Sequence, residues 1–228
     1  MKNKLTLLLD SSSVPLSCAL TDGKKLYRAS RKGIKQENYL FPLLKNLLKK
    51  FKAELKDIDA CLFVKGPGRF TGIRIGITLA SMLKEFAGTK VASLSVFDIL
   101  KYQAQESPDY KKEYGDIMII LPAFRQEYFL SFKGRELWTN EDEIKALLKK
   151  QKEPLFICGW GAERQSLDKI FTFKKAVFAP KKLNKISFEA MAALAKDACG
   201  KQKLEQVFTP LYLKPARFEM TAVNKGAK

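Results

Sequence analysis

The chain has 228 residues, of which 46% are hydrophobic, and it carries 42 Lys and Arg against 24 Asp and Glu, a net charge of +18. It contains no histidine, which excludes a Ser–His–Asp triad, histidine acid–base catalysis and the usual zinc sites. The hydrophobic content is sufficient for a globular core, and no apolar run is long enough to form a transmembrane helix.

The positive charge favours an acidic partner, such as RNA or an acidic protein surface. The lysines are spread over the whole chain and do not cluster with aromatic residues, which is more typical of a solvated surface. The charge therefore supports RNA contact without establishing it.

The amino terminus and the cysteines indicate a cytoplasmic protein. Lys2, Lys4 and the apolar run that follows resemble a signal peptide, but Asp10 ends that run before it reaches the length of a signal h-region. The cysteines are far apart and form no C-x-x-C pair, which predicts buried, reduced thiols and no metal site. They are Cys18, Cys61, Cys158 and Cys199.

The first half of the chain alternates apolar segments with turn residues. Residues 4–9, 16–21 and 25–30 are short apolar segments, separated by Asp10-Ser11-Ser12-Ser13 and by Asp22-Gly23, so we expect three antiparallel strands. After them we expect a helix, a strand, a helix, a strand and a helix, at 38–55, 60–66, 71–88, 90–96 and 97–105.

The second half is a looser, partial echo of the first. A polar stretch separates the halves, and then strands are predicted at 116–121, 127–132 and 154–159, helices at 141–151 and 187–199, and a tail at 208–216. We therefore divide the chain into an N-terminal subdomain, 1–105, and a degenerate C-terminal subdomain, 106–228.

This order of elements is the repeat of the actin, sugar-kinase and Hsp70 (ASKHA) superfamily, so the predicted fold class is α/β with two ASKHA-like subdomains. In that superfamily the hairpin after the first strand faces phosphate and Mg²⁺. Here Asp10 begins that hairpin. Its carboxylate could contact a phosphate or close an Asx turn with its own backbone, and the residue types alone favour the Asx turn.

The glycine-rich stretch 66–76, GPGRFTGIRIG, joins a strand to a helix but matches neither G-x-G-x-x-G nor G-x-x-x-x-G-K-[ST]. Thr71 is the predicted N-cap of the helix. After it, Gly72, Gly76 and Ala80 recur every four residues and predict a smooth strip that another helix can approach closely. We interpret the strip as a partner-binding surface, so Gly76→Leu is expected to weaken association and leave the monomer folded.

These motifs resemble those of the bacterial threonylcarbamoyladenosine-biosynthesis family TsaB (YeaZ). The family pattern G-P-G-S-F-T-G-[LIV]-R-I-G matches residues 66–76, with Arg69 in place of serine. Weaker matches, useful for their order, are Leu9–Ser12 for I-D-[TS]-[ST], Phe41–Leu44 for L-P-L-[IL], Gln126–Tyr128 for G-E-V-Y and Pro210–Lys214 for P-x-Y-L-[RK]. The resemblance covers nearly the whole chain.

The resemblance implies a non-catalytic partner that joins the enzyme TsaD through the first two helices and supports modification of adenosine 37 in tRNAs reading ANN codons. The implied partner interface comprises Tyr39, Leu43, Leu47, Arg69, Gly72, Ile73, Gly76, Ile77 and Ala80. The residues with an implied phosphate or nucleotide contact are Asp10, Ser11, Ser12, Gly66 and Gly68.

The resemblance also sets the expected partners and cofactors. No catalytic residue, metal or cofactor of the chain's own is expected, and ATP or ADP at the interface of the complex stays open. A TsaD-like subunit is the expected partner, with a TsaE-like ATPase joining the complex, indirect contact with tRNA and no membrane. Whether the free chain forms a homodimer is left open.

The chain departs from the family in two places. Gln36 stands where many relatives have a histidine, and the chain lacks the aspartate that many relatives have near Pro122. The chain also lacks the H-x-x-x-H metal site of TsaD.

The main alternative function is a small ATP-binding phosphotransferase or ATPase of the same superfamily. Its candidate second phosphate loops, 122–125 and 159–161, have no accompanying carboxylate. Proteolysis is disfavoured by the missing histidine.

Overall fold

A computed structural model of the chain describes residues 4–33, 35–123, 125–159, 176–200 and 208–214. Contacts divide these residues into two compact units. The first unit holds the described residues of Met1–Lys111 and Ala179–Leu211, and the second holds those of Lys112–Phe178 and Tyr212–Lys228.

The regular elements follow the predicted order closely in the first half. The strands are β1 Leu5–Asp10, β2 Leu16–Thr21, β3 Leu26–Arg31, β4 Ile58–Val64, β5 Lys90–Leu94, β6 Asp116–Pro122, β7 Glu127–Phe132, β8 Arg135–Asn140, β9 Leu155–Cys158 and β10 Ala176–Phe178. The helices are α1 Glu37–Phe51, α2 Phe70–Ala87, α3 Val96–Gln105, α4 Glu141–Lys150 and α5 Phe188–Gly200.

The first unit is built on a mixed sheet of five strands in the order β3-β2-β1-β4-β5. β1 pairs antiparallel with β2 and parallel with β4, so it lies at the centre of the sheet. Leu7, Leu8 and Leu9 of β1 are all fully buried. A continuous apolar run of this kind belongs to a strand that is covered on both faces.

One face of this sheet is covered by α1 and α2. Leu5, Leu7 and Leu9 point to this face and join a single apolar core with buried residues of both helices. The members from α1 are Leu40, Leu44, Leu47 and Leu48, and those from α2 are Leu79, Ala80 and Leu83. The outward faces of the two helices therefore lie on the same side of the first unit.

The other face of the sheet is covered by α5, which contacts β1, β4, β5 and α3. The Gln103 side chain of α3 holds the segment before α5, because its Nε2 donates to the Lys185 carbonyl oxygen and its Oε1 accepts from the Ser187 amide, each at 2.8 Å. The structure thus departs from the predicted continuous second subdomain, 106–228, at this helix.

The second unit repeats the strand order of the first. Its sheet runs β10-β9-β6-β7-β8, with β6 antiparallel to β7 and parallel to β9. The position of each strand corresponds to β5-β4-β1-β2-β3 of the first unit. Two copies of this mixed sheet confirm the predicted α/β ASKHA fold.

Sequence reasoning did not find β8 and β10. β8 is a sheet-edge strand whose first two residues are exposed, so its apolar pattern is weak. β10 has three residues, fewer than a periodicity can detect.

The N-terminus of α2 differs from the prediction, and its C-terminus agrees with it. The helix begins at Phe70, and Arg69, rather than Thr71, occupies the N-cap position without a side-chain capping bond. The predicted stop at Gly88 is confirmed, since its φ of 65° is left-handed and suits a residue without Cβ. Among the described helices, none is both long and apolar enough to cross a membrane.

Candidate functional site

The loop between β1 and β2 is an Asx turn. Oδ1 of Asp10 accepts from the amide of Ser12 at 3.0 Å and from its hydroxyl at 2.6 Å, while Oδ2 accepts from the Ser13 hydroxyl at 3.2 Å. The carboxylate is 5% exposed. The loop therefore uses its aspartate to satisfy its own backbone, which is the alternative that the residue types favour.

Burial dominates the electrostatics of Asp10. Removal from water raises the pKa of this carboxyl above its ordinary value of 3.8, although the hydrogen bonds from Ser12 and Ser13 act in the opposite direction. The charged form is therefore less favourable in the folded chain than in the unfolded one.

The glycine stretch brings α2 directly onto this loop. A Cβ added to Gly68 would overlap the Ser12 carbonyl oxygen, and one added to Gly72 would overlap the Ser11 carbonyl oxygen. At Gly76 an added Cβ would lie 2.7 Å from the Ser11 hydroxyl oxygen. The Arg69 amide donates to the Ser12 carbonyl oxygen at 2.7 Å. The contact leaves no space for another group between the loop and α2.

This contact corrects the interpretation of the small-residue strip as a partner surface. Gly72, Gly76 and Ala80 are buried against the chain's own loop and sheet. Ile73 and Leu47, also assigned to the interface, are 0% and 3% exposed. Residues with almost no exposed surface in the monomer cannot form a substantial contact with a partner unless the monomer opens.

The remaining interface residues are partly exposed. Tyr39, Leu43 and Ile77 lie at the margin of the core formed by α1 and α2. Arg69 is also partly exposed, and its Nη1 atom is buried without a hydrogen-bond partner among the described residues. A contact between these four residues and a partner stays a prediction.

The outward face of α2 carries three large apolar side chains together with two polar ones. Phe70, Arg74, Thr78, Met82 and Phe86 are exposed and follow each other every four residues, so they form one stripe. Phe86 is 87% exposed, which is rare for a side chain of its size. The Arg74 guanidinium stacks 3.9 Å from the centre of the Phe70 ring.

Helix α1 adds to this side of the unit with Phe41, which is 47% exposed. Sequence reasoning noted Met82 and Phe86 as a second apolar stripe of α2 but assigned the interface to the glycine side. The signal that separates the two is bulk, because small residues suit the close contact and large ones suit the free surface. We call Phe41, Phe70, Met82 and Phe86 the outward apolar face.

Gln36 links the start of α1 to the same loop. Its Nε2 donates to the Ser13 carbonyl oxygen at 2.6 Å, and the side chain is buried. The residue that replaces the family's histidine therefore has a structural contact of its own, because an amide nitrogen can donate this bond without a titratable ring.

The glycine turn also receives the last described segment of the chain. The Leu211 amide donates to the Lys65 carbonyl oxygen at 2.8 Å. An added Cβ on Gly66 would lie 2.8 Å from the Leu211 carbonyl oxygen, and the φ of Gly66 is +117°. The GPG motif and Leu211, which are far apart in sequence, thus meet in the first unit.

The other end of the motif Pro210–Lys214 is held within the second unit. The Lys214 ammonium donates to Oε2 of Glu127 and lies 4.8 Å from the centre of the Trp138 ring. Glu127 belongs to the motif Gln126–Tyr128, so this ion pair joins two of the weaker matches noted in the sequence.

The thiols are poor candidates for chemistry. Cys18, Cys61 and Cys158 are buried and unlinked, and burial raises the pKa of Cys18 and of Cys158 to about 12. At neutral pH such groups are protonated and weakly nucleophilic. The Cys199 side chain, together with Trp160 and Gly161 of the second candidate phosphate loop, lies outside the described residues.

No group of three His, Cys, Asp or Glu side chains that could bind a metal occurs in the described part of the chain. Pro122 and Arg125 of the other candidate loop lie at the end of β6 and in the turn before β7. A nucleotide contact from Asp10, Ser11, Ser12, Gly66 or Gly68 stays a prediction, and it has to use surfaces that α2 does not cover.

Comparison with known proteins identifies similar sequences. Residues 34–133 match a family model described as TsaD, tRNA N6-adenosine threonylcarbamoyltransferase. The chain is 28% identical over 183 residues to the tRNA threonylcarbamoyladenosine biosynthesis protein TsaB of Buchnera aphidicola subsp. Schizaphis graminum, covering 75% of this chain and 85% of the relative. The TsaB of Haemophilus influenzae is 24% identical over 234 residues, with 94% and 95% covered. The chain is therefore similar in sequence to TsaB proteins over most of its length.

Solved structures agree on the fold. YeaZ from Pseudomonas aeruginosa superposes with a TM-score of 0.66 at 22% identity, covering 92% of this chain and all of that one. A second Pseudomonas aeruginosa structure, described as similar to peptidase YeaZ, has a TM-score of 0.68 at 21% identity with the same coverage. The chain thus shares the fold of these YeaZ structures.

Added bulk on the buried face of α2 should destabilise the monomer itself. Gly76→Leu places a side chain against the Ser11 hydroxyl, and overpacking of this kind costs about 1–3 kcal/mol. In a chain of this size we expect the melting temperature to fall by about 2–12 °C. Thr78→Leu, on the exposed side of the same helix, is the control and should leave it nearly unchanged. An unchanged melting temperature for Gly76→Leu would contradict the described contact.

Asp10→Asn should alter how stability depends on pH. A raised pKa means that the folded chain holds the proton more tightly, so the contribution of Asp10 is fully present below 3.8 and is lost as pH rises through the folded pKa. The amide keeps the acceptor for Ser12 and cannot ionise. The melting temperature of the original chain, relative to Asp10→Asn, should therefore fall as pH rises.

The control for this measurement is Asp22→Asn. Hydrogen bonds from the backbone amides of Lys25 and Lys24 lower the pKa of Asp22, so the contribution of Asp22 to stability is lost as pH falls. The melting temperature of the original chain, relative to Asp22→Asn, should therefore rise as pH rises. Parallel curves for the two variants would contradict the role of burial at Asp10.

Proposed function

We propose that this chain is the non-catalytic subunit that supports a TsaD-type enzyme in threonylcarbamoyl transfer to adenosine 37 of tRNAs reading ANN codons. The observation that carries the proposal is the outward apolar face, together with the similarity to TsaB proteins. The residues matched by the family model, 34–133, include both helices that present this face.

The outward apolar face has the properties of a protein-binding surface. Large apolar side chains exposed on the solvent-facing side of a helix gain free energy when a partner covers them. A standard interface buries about 800 Å² on each partner around a few aromatic anchors. Phe70 and Phe86 provide two aromatic anchors on α2, and Phe41 provides a third on α1.

A supporting role without catalysis fits the side chains of this chain. There is no histidine in the sequence, and the Asp10 carboxylate is occupied by the Asx turn. The pKa of about 12 at Cys18 and at Cys158 argues against thiolate chemistry. Catalysis is therefore assigned to the partner.

The outward apolar face could also bind a second copy of the chain, and further partners would join the complex with the enzyme. In the absence of the enzyme, a second copy of the chain could cover the outward apolar face, so a homodimer of the free chain is expected to compete with the complex. A TsaE-like ATPase and a nucleotide, ATP or ADP, would join at the assembled complex. A role in tRNA modification places the chain in the cytoplasm, where that substrate is found.

Truncation of the outward apolar face should weaken association with the TsaD-type enzyme of the same organism. Phe86→Ala and Phe70→Ala remove exposed aromatic rings, and we expect each to reduce affinity about 5- to 30-fold, which corresponds to about 1–2 kcal/mol. Titration calorimetry of the purified proteins measures the change.

Lys101→Ala, an exposed position on α3, is the control and should bind normally. The melting temperature of each variant should stay near that of the original chain, because the truncated rings are exposed. If both aromatic variants bind as tightly as the control, the interface does not include the outward face of α2.

The alternative of an ATP-dependent enzyme can be tested on the chain alone. The ASKHA fold and the position of Asp10 favour this alternative, while the Asx turn and the closed contact with α2 oppose it. We expect ATP hydrolysis by the purified chain to be no faster than in buffer. Multiple turnover that survives repurification and is lost on Asp10→Ala would replace the supporting role with a phosphotransferase or ATPase.

A further inference from the structure

The solvent-facing side of α1 is strongly basic in its C-terminal half. Lys45, Lys49 and Lys52 are spaced by four and three residues, so they form one exposed stripe, and Lys50 is exposed beside it. Glu37 is the only acidic residue of the helix. Four lysines, counting the cap residue Lys52, and one glutamate give this segment a net charge of +3.

The side chains of the four lysines have no charged partner in the part of the chain that the structure describes. Nor does any of them form a side-chain hydrogen bond with those residues. The nearest acidic residues in sequence, Glu54 and Asp57, cap a short helical turn together, and Glu54 also pairs with Lys56. The charge of the stripe is therefore available to a partner.

A second helix shows that this excess is local. α4 also ends in two lysines, Lys149 and Lys150, but its first turn contains three acidic residues and Lys145 pairs with Glu141. Three lysines against Glu141, Asp142 and Glu143 give α4 no net charge. The basic surface is thus a property of α1 rather than of every helix in a lysine-rich chain.

A second group of basic residues lies at the opposite end of α1, near Tyr39, whereas Phe51 beside the lysine stripe contacts Tyr27 at the start of β3. α1 packs against β3, which is the edge strand. At the end of β3, Arg31 lies 5.6 Å from the centre of the Tyr39 ring of α1, and Lys32 and Lys35 follow as exposed residues. Arg28, also on β3, pairs with Glu189 and is not part of this second group.

We propose that the basic surface of α1 contacts the phosphate backbone of RNA, with the substrate tRNA of the assembly as the natural ligand. The lysine stripe spans about 10 Å, on the order of three phosphates along one strand. Lysine suits this role as a mobile point charge that reads phosphate but not sequence. The identification of the polyanion as tRNA rests on the proposed function, whereas the recognition of phosphate rests on the charges alone.

Two matched variants test the proposal. Lys49→Gln/Lys50→Gln and the control Lys149→Gln/Lys150→Gln each remove two lysines from the last turn of a helix, so both lose the same charge and the same interaction with the helix dipole. The binding of a transcript of an ANN-reading tRNA is measured over a range of salt concentrations, with the full chain alone and in complex with its TsaD-type partner.

The α1 variant should bind the transcript at least about fivefold more weakly at 0.1 M salt, and the slope of log affinity against log salt should decrease by about 1.4–1.8. The control should bind like the original chain. The proposal is overturned if neither variant changes RNA binding, or if both weaken it equally, which would indicate diffuse charge.

A third outcome also overturns it. If the α1 variant loses its protein partner and keeps its RNA affinity, the basic surface meets an acidic protein instead. The proposed function is judged separately by whether the chain assembles with the TsaD-type enzyme and supports modification. RNA binding that is unaffected by the α1 variant in a working assembly would refute this inference alone.

Discussion

The seating of α2 on the loop between β1 and β2 governs the arrangement of the first unit. Gly72 and Gly76 contact Ser11 because neither has a Cβ, and Gly68 does the same at Ser12. The contact sets the depth at which α2 lies on the sheet and turns Phe70, Met82 and Phe86 away from the core. The outward apolar face is therefore a consequence of where the small residues are, and the two faces of the helix cannot exchange roles.

This close packing explains the glycine-rich stretch 66–76, which resembles a phosphate-binding loop but does not match the sequence pattern of one. In a nucleotide-binding loop, glycines bring backbone amides close to a ligand. Here they bring a helix close to Ser11 and Ser12, and the Arg69 amide is used on the Ser12 carbonyl. Asp10 supports the same loop from the other side through its bonds to Ser12 and Ser13.

The fold could be predicted from the sequence where the elements have a strong hydrophobic periodicity. The leucines of α1, the strand β1 and the stop of α2 at Gly88 could all be predicted, because each depends on local pattern and backbone preference. Which face of α2 is buried and which is exposed could not be predicted. A strip of small residues suits the chain's own loop as well as a foreign helix, and only the tertiary contact at Gly76 distinguishes them. The edge strand β8 was missed because its exposed residues carry no apolar period.

The path of the chain through the two units has a consequence for synthesis on the ribosome. The first sheet is laid down early, and α1 and α2 can cover one of its faces as soon as they emerge. The opposite face, with Leu8 and Leu62, is completed by α5, which is made only after the whole sheet of the second unit. Because domains generally fold as units during translation, the first unit has to wait for α5 with this face incompletely covered, while the second unit's sheet can form from one continuous stretch.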